Sequence, residues 1–281
     1  MKIRKDFDEE DLKAFEPEAK VGLLATINPD GLPHLTLITA MQAKHTTQLM
    51  WGQFTEGLSK KYIKENPNTA FLIMTMDKHL WRGKARYTHS TGEGEDYEMF
   101  NNKPMFRYNA YFGIHTVHYM DLIETYGKES LPLPKIVMAS LLTMAGKSGA
   151  RTHIQERILK PWGEKLFNRL DSLKFIAYVS DDGFPRIIPL IQCQASDSRR
   201  LTFSSLAYKK ELLALKKGLP VVVFGMTMDM EDILTRGIFL GFKNIRSINM
   251  GTIDIEWVYN SMPPTQGQIY PKVELKPVIN F

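Results

Sequence analysis

The chain has 281 residues, with 36 Lys plus Arg against 31 Asp plus Glu and a formal net charge of +5. That length suits two domains better than one, and 43% hydrophobic with 24% charged residues excludes disordered, collagen-like and low-complexity chains. A pI near 9.0 points to anionic ligands, but the basic residues are scattered and form no nucleic-acid stripe.

The first fifteen residues turn acidic where a secretory signal would be apolar, which predicts a cytoplasmic chain. A helix is expected over residues 8–15, with Asp8 as its cap. Residues 24–34, Leu-Ala-Thr-Ile-Asn-Pro-Asp-Gly-Leu-Pro-His, read as strand, Asp-Gly turn and strand. A second helix is expected over residues 59–65, closing at Asn66-Pro67. Ser59, Lys60 and Lys61 at its start are a candidate anion site, because a helix N-terminus leaves backbone N–H groups unpaired and these side chains add a donor and charge. The plain alternative is a solvated helix start with a serine cap.

Residues 91–112 form a long segment rich in aromatic side chains, among them Tyr97, Phe100, Phe106, Tyr108, Tyr111 and Phe112. Loops of this length are usually functional or disordered, and the aromatic content argues against disorder. It is expected either to cover a ligand or to plug a barrel end. His115 and His118 are three apart, so on one strand they face opposite sides and do not share a metal. One is expected in the core or an interface and the other in solvent.

The apolar stretch 136–146 is interrupted by Ser140 and Thr143 and is too short for a bilayer. No membrane partner is therefore expected. Ala145-Gly-Lys-Ser-Gly149 looks like the end of a phosphate-binding loop, but the Gly required five residues before Gly146 is Leu141. Lone Cys193 excludes an intrachain disulfide and any multi-cysteine metal site. No hydrolase elbow or zinc-protease motif occurs, so no metal is expected and no catalytic residue is assigned.

The second half repeats the first. Residues 176–186, Ile-Ala-Tyr-Val-Ser-Asp-Asp-Gly-Phe-Pro-Arg, match residues 24–34, with Ala25, Asp30, Gly31 and Pro33 facing Ala177, Asp182, Gly183 and Pro185. Arg82-Gly83 then matches Arg236-Gly237, and the strand around Met120-Asp121-Leu122 matches Ile253-Asp254-Ile255. Helices are expected at 161–170 and 209–217, and one or two connecting helices between 126 and 160. The expected division is a first barrel over 1–127, a helical linker over 128–160 and a second barrel over 161–281. The expected fold is mainly β, two tandem split β-barrels with flanking α-helices.

Together, the 24–34 hairpin, the stretch from Phe54 to Pro67 and Arg82-Gly-Lys-Ala-Arg86 resemble the FMN-binding split-barrel superfamily of pyridoxamine 5'-phosphate oxidase. The resemblance runs from Val21 to about Thr88, and more faintly from Lys174 to about Tyr259. It implies FMN as cofactor, with the phosphate near Ser59, Lys60 and Lys61, and with Thr36, Thr39, Gln53 and Thr55 as further contacts. It also implies an oxidoreductase in which the flavin carries the redox chemistry, with a small-molecule substrate or electron donor as partner. Paired barrels, within the chain or across a homodimer, would enclose the flavin. Thr36 and Met41 stand where pyridoxamine 5'-phosphate oxidase has basic residues, so its substrate is not expected here. The alternative is a non-catalytic carrier or sensor of FMN, haem or a deazaflavin. In the second copy Leu212 and Tyr208 fall where Ser59 and Thr55 stand, so one FMN per chain, held by the first copy, is expected.

Overall fold

The computed structural model describes residues 3–104, 113–152, 154, 156–260 and 267–273. The chain divides into two compact units: Met1–Leu131 with Ala177–Ile187, and Pro132–Ile176 with Ile188–Phe281.

The first half opens with helix α1 (Glu9–Phe15), entered through Asp8, whose N–H donates to the Asp11 carboxylate at 3.3 Å. There follow β1 (Lys20–Ile27), β2 (Pro33–Leu37), β3 (Gln42–His45), β4 (Gln48–Gln53), helix α2 (Leu58–Glu65), β5 (Asn68–Thr75), β6 (His79–Thr91), helix α3 (Glu95–Asn101), β7 (Thr116–Thr125) and the short β8 (Glu129–Ser130). The strands form one antiparallel sheet in the order β2-β1-β5-β6-β7-β4-β3, with β8 on β6. Every residue of β1 is buried. That burial suits an apolar strand covered on both faces. The core gathers Phe7, Phe15, Trp51, Ile63, Phe71, Trp81 and Met120. Phe15 meets Phe7 and Trp81 edge-on, at ring separations of 5.2 and 5.0 Å.

The second half contains helix α4 (Leu133–Gly146) running into a 3-10 turn (Lys147–Ala150), then helix α5 (Pro161–Asn168), β9 (Leu173–Val179), β10 (Pro185–Pro189), β11 (Gln194–Ala195), β12 (Arg200–Ser204), helix α6 (Lys209–Leu212), β13 (Pro220–Met226), β14 (Asp232–Ile245), β15 (Ile248–Asn260) and β16 (Gly267–Tyr270). Its sheet runs β10-β9-β13-β14-β15-β12-β11, with β16 on β15. Strand for strand this is the order of the first sheet. The fold is two tandem split β-barrels with flanking helices.

The repeat extends to backbone detail. Gly31 and Gly183 have φ of +76° and +77°, the left-handed conformation that the Asp-Gly turns need. Gly83 and Gly237 lie where a Cβ would come within 1.9 Å of the Glu124 carbonyl oxygen and 1.8 Å of the Asp254 carbonyl oxygen. Neither strand pair could close there with a side chain.

Two expectations change. The helix expected over 209–217 is the four-residue α6. The aromatic segment 91–112 is not all loop: it carries α3, with Phe100 buried against Met50, Ile114, Val117 and Tyr119. Phe106, Tyr108, Tyr111 and Phe112 lie outside the described residues. At the corresponding place in the second half, β14 and β15 join through Arg246 and Ser247 alone, both at positive φ (51° and 64°), a tight hairpin turn. No helix among the described residues is long and apolar enough to cross a membrane.

Candidate functional site

Helix α2 sorts its residues by the helical period. Ser59 and Ile63, four apart, are both buried, and residues so spaced share one face. Lys60 and Lys64 form the neighbouring row. They line a cavity of about 490 Å³ together with Gln53, Glu56, Lys61, Ser90, His115, Thr116 and His118. Three ammonium groups therefore stand against one carboxylate.

The opposite wall comes from the pairing of β4 with β7. In that register Gln53 faces Thr116 and Trp51 faces His118. Residues of one parity share a face of the sheet, so all four side chains meet there. His118 lies parallel to the Trp51 indole, with centroids 4.0 Å apart and an interplanar angle of 16°. Its Nε2 lies 2.7 Å from Gln53 Oε1, and Gln53 Nε2 donates to Glu56 Oε1 at 3.3 Å. The backbone N–H of His115 closes the corner on the Gln53 carbonyl oxygen at 3.0 Å.

The electrostatics follow from this crowding. Burial, reinforced by Lys60, Lys64 and His115, pushes the His118 imidazole down to about 3. It is neutral at physiological pH. Burial also lowers Lys60, against the pull of Glu56.

Of the residues expected at a phosphate site, Gln53, Lys60 and Lys61 line this cavity. Ser59 is fully buried, and its hydroxyl is hydrogen-bonded to that of Thr36. Each thus meets the other's polar atom inside the barrel wall. Strand β2 ends at Leu37, so Thr39 sits in the following turn, and Thr55 lies in the loop before α2; neither lines the cavity. His118 is buried and His115 exposed, but His115 precedes β7, so strand parity does not set its side, and both reach the same cavity. Among the described residues no group of three or more His, Cys, Asp or Glu could hold a metal ion.

Six lining residues were not anticipated: Glu56, Lys64, Ser90, His115, Thr116 and His118. Lys64 carried a legible signal, being one helical turn from Lys60. His118 carried none, because only the strand register places it beside Gln53.

The segment beside this wall is tied down by its own polar contacts. Asn101 at the end of α3 accepts from the Ile114 N–H at 2.9 Å and donates to the Ile114 carbonyl at 2.8 Å. Asp96 pairs with Lys44 and accepts from the Tyr119 hydroxyl at 2.7 Å. Burial, followed by Asp96, raises the Tyr119 phenol above its ordinary range.

No protein-family model matches the chain, and no curated protein matches it. Among solved structures it is similar to a Lactobacillus delbrueckii protein provisionally described as a pyridoxamine 5'-phosphate oxidase, at 19% identity and a TM-score of 0.36, covering 45% of this chain and 99% of that one. It is also similar to an FMN-binding protein of Syntrophomonas wolfei (14% identity, TM-score 0.35, 44% of this chain and 89% of that one). A third is General Stress Protein 26 of Bacillus anthracis (15% identity, TM-score 0.33, 43% and 97%).

Proposed function

We propose that the first barrel binds FMN in the lysine-lined cavity and that the protein is a flavin-dependent oxidoreductase. The observation that carries this reading is the convergence of Lys60, Lys61 and Lys64 with the Gln53 amide on one cavity of about 490 Å³. Cofactor pockets fall in the range of roughly 300–1,000 Å³. The donor set fits a phosphate: ammonium groups neutralise it, and an amide N–H gives direction. The sequence resemblance to FMN-binding split barrels names the flavin among anions of that size.

Lys60, Lys61 and Lys64 hold the phosphate in this reading, and Gln53 with Ser90 and Thr116 supplies polar contacts further along the wall. A bound flavin supplies hydride or electron transfer. A small-molecule electron donor is the expected partner.

Titration of FMN into the full chain tests the assignment. Charge-assisted hydrogen bonds are worth about 1.5–3 kcal/mol, so Lys60→Ala and Lys61→Ala should each weaken binding by about 10-fold or more. Unchanged affinity in both would remove the assignment. Turnover of the yellow protein with a reduced nicotinamide and an electron acceptor separates an oxidoreductase from a flavin carrier.

A further inference from the structure

We propose that His118 is a positioning residue for the ligand, holding the Gln53 carboxamide so that it turns an N–H, not a carbonyl, into the cavity; this rests on the cavity being the FMN site. The Glu56 contact fixes the amide orientation, and the histidine tautomer follows from it. Glu56 is a carboxylate and only accepts, so the Gln53 atom 3.3 Å from it is the nitrogen. The Gln53 oxygen then faces His118 Nε2 at 2.7 Å, and that nitrogen carries the proton. The other imidazole nitrogen, Nδ1, is buried and has no hydrogen-bond partner. A proton placed there would be buried without an acceptor, a costly arrangement.

The charges around the ring point the same way. Lys60, Lys64 and His115 all disfavour a second proton on His118. Once Glu56 and His118 are satisfied, the second hydrogen of Gln53 Nε2 is left for an acceptor in the cavity. Such an acceptor is a phosphoryl or carbonyl oxygen, and both occur on FMN.

The second barrel argues against a purely structural role for the histidine. There β12 pairs with β15 so that Arg200 faces Asp254 and Phe203 faces Gly251, as Gln48 faces Asp121 and Trp51 faces His118 in the first. Gly251 thus holds the place of His118, and Ser205 that of Gln53. The same fold closes without either side chain. What the first barrel adds is an aligned donor in a basic cavity.

The experiment uses the full chain with His118→Phe, which keeps a flat ring over Trp51, Gln53→Ala, the double variant, and Gln53→Glu. Long-range nitrogen–proton NMR of the ligand-free protein should show His118 neutral and protonated on Nε2 from pH 5.5 to 8. A proton on Nδ1, or an imidazolium in that range, overturns the proposal. In Gln53→Glu a carboxylate replaces the amide, and His118 should titrate at higher pH than in the parent. An unmoved titration also overturns it, and this variant stands in should His118→Phe fail to fold. FMN affinity should fall roughly 5- to 30-fold in His118→Phe and in Gln53→Ala, and no further in the double variant. Parent-like binding in His118→Phe, or additive losses, refute the coupling. A parent that binds no FMN refutes the flavin assignment alone, and inorganic pyrophosphate then serves as the probe in the same cycle.

Discussion

His118 stands in an environment that departs far from that of an ordinary solvated histidine. It is 1% exposed, stacked on Trp51 and beside two lysines. Its pKa falls to about 3 in the folded chain, first through burial and then through Lys60, Lys64 and His115, whereas an unfolded histidine titrates near 6.5. Between those values the unfolded state binds more protons, so the contribution of this group to stability is lost as pH falls from about 6.5 towards 3. Over the two units from pH 6.5 to 4.5 the loss is about 2 kcal/mol. Denaturant unfolding at pH 7 and pH 4.5 should therefore show a smaller acid destabilisation in His118→Phe than in the parent. An identical difference in both proteins would mean that the ring takes up its proton without penalty. Ser59 shows the converse: a hydroxyl expected at a ligand instead meets Thr36, because its place one turn before Ile63 puts it on the face of α2 that packs inward.

At the level of elements, the legible parts were those whose signal is local. The Asp-Gly hairpins needed only positive φ at Gly31 and Gly183, and the helices 8–15 and 161–170 were marked by an acidic cap and a leading proline. Helix α3 was not legible, since Glu-Asp-Tyr-Glu-Met-Phe-Asn is too short for a periodic stripe and owes its order to docking. Phe100 is fully buried, and the Asn101 side chain clamps the backbone of Ile114. The helix therefore packs on Met50, Val117 and Tyr119, on the face of β4 and β7 opposite to the cavity side chains, and deleting residues 93–105 would remove core packing. Phe100→Ala should cost about 3–5 kcal/mol in chemical denaturation. A loss below about 1 kcal/mol would show that α3 is only laid on the barrel.

Over the whole chain, self-similarity carried the topology, since matching hairpins and Arg-Gly pairs in one order imply matching sheets, and the strand orders agree. The cavity was only partly legible, because Gln53, Lys60 and Lys61 lie close together in sequence while Thr116 and His118 reach them through the pairing of β4 with β7, and Ser90 through that of β6 with β7. The same register decides how the two halves differ as binding units. In the second half α6 has four residues against eight in α2, so Lys209 and Lys210 have no partner one turn on within that helix. Around Gly251 the walls are the rings of Phe203 and Phe242, which a Cβ would meet at 2.6 and 3.0 Å. Phe239 packs against both, with centroids 6.1 and 5.2 Å away. There Gly251 stands for His118 between apolar rings, and Ser205 stands for Gln53, so the histidine–glutamine pair has no counterpart. The expected stoichiometry is one FMN per chain, read from flavin absorbance on protein of known solution mass. Lys60→Ala combined with Lys61→Ala should abolish most of it without exposing a residual site of parent affinity. Two FMN per chain would refute the inequality of the two halves, and full occupancy in the double lysine variant would place the flavin elsewhere in the molecule.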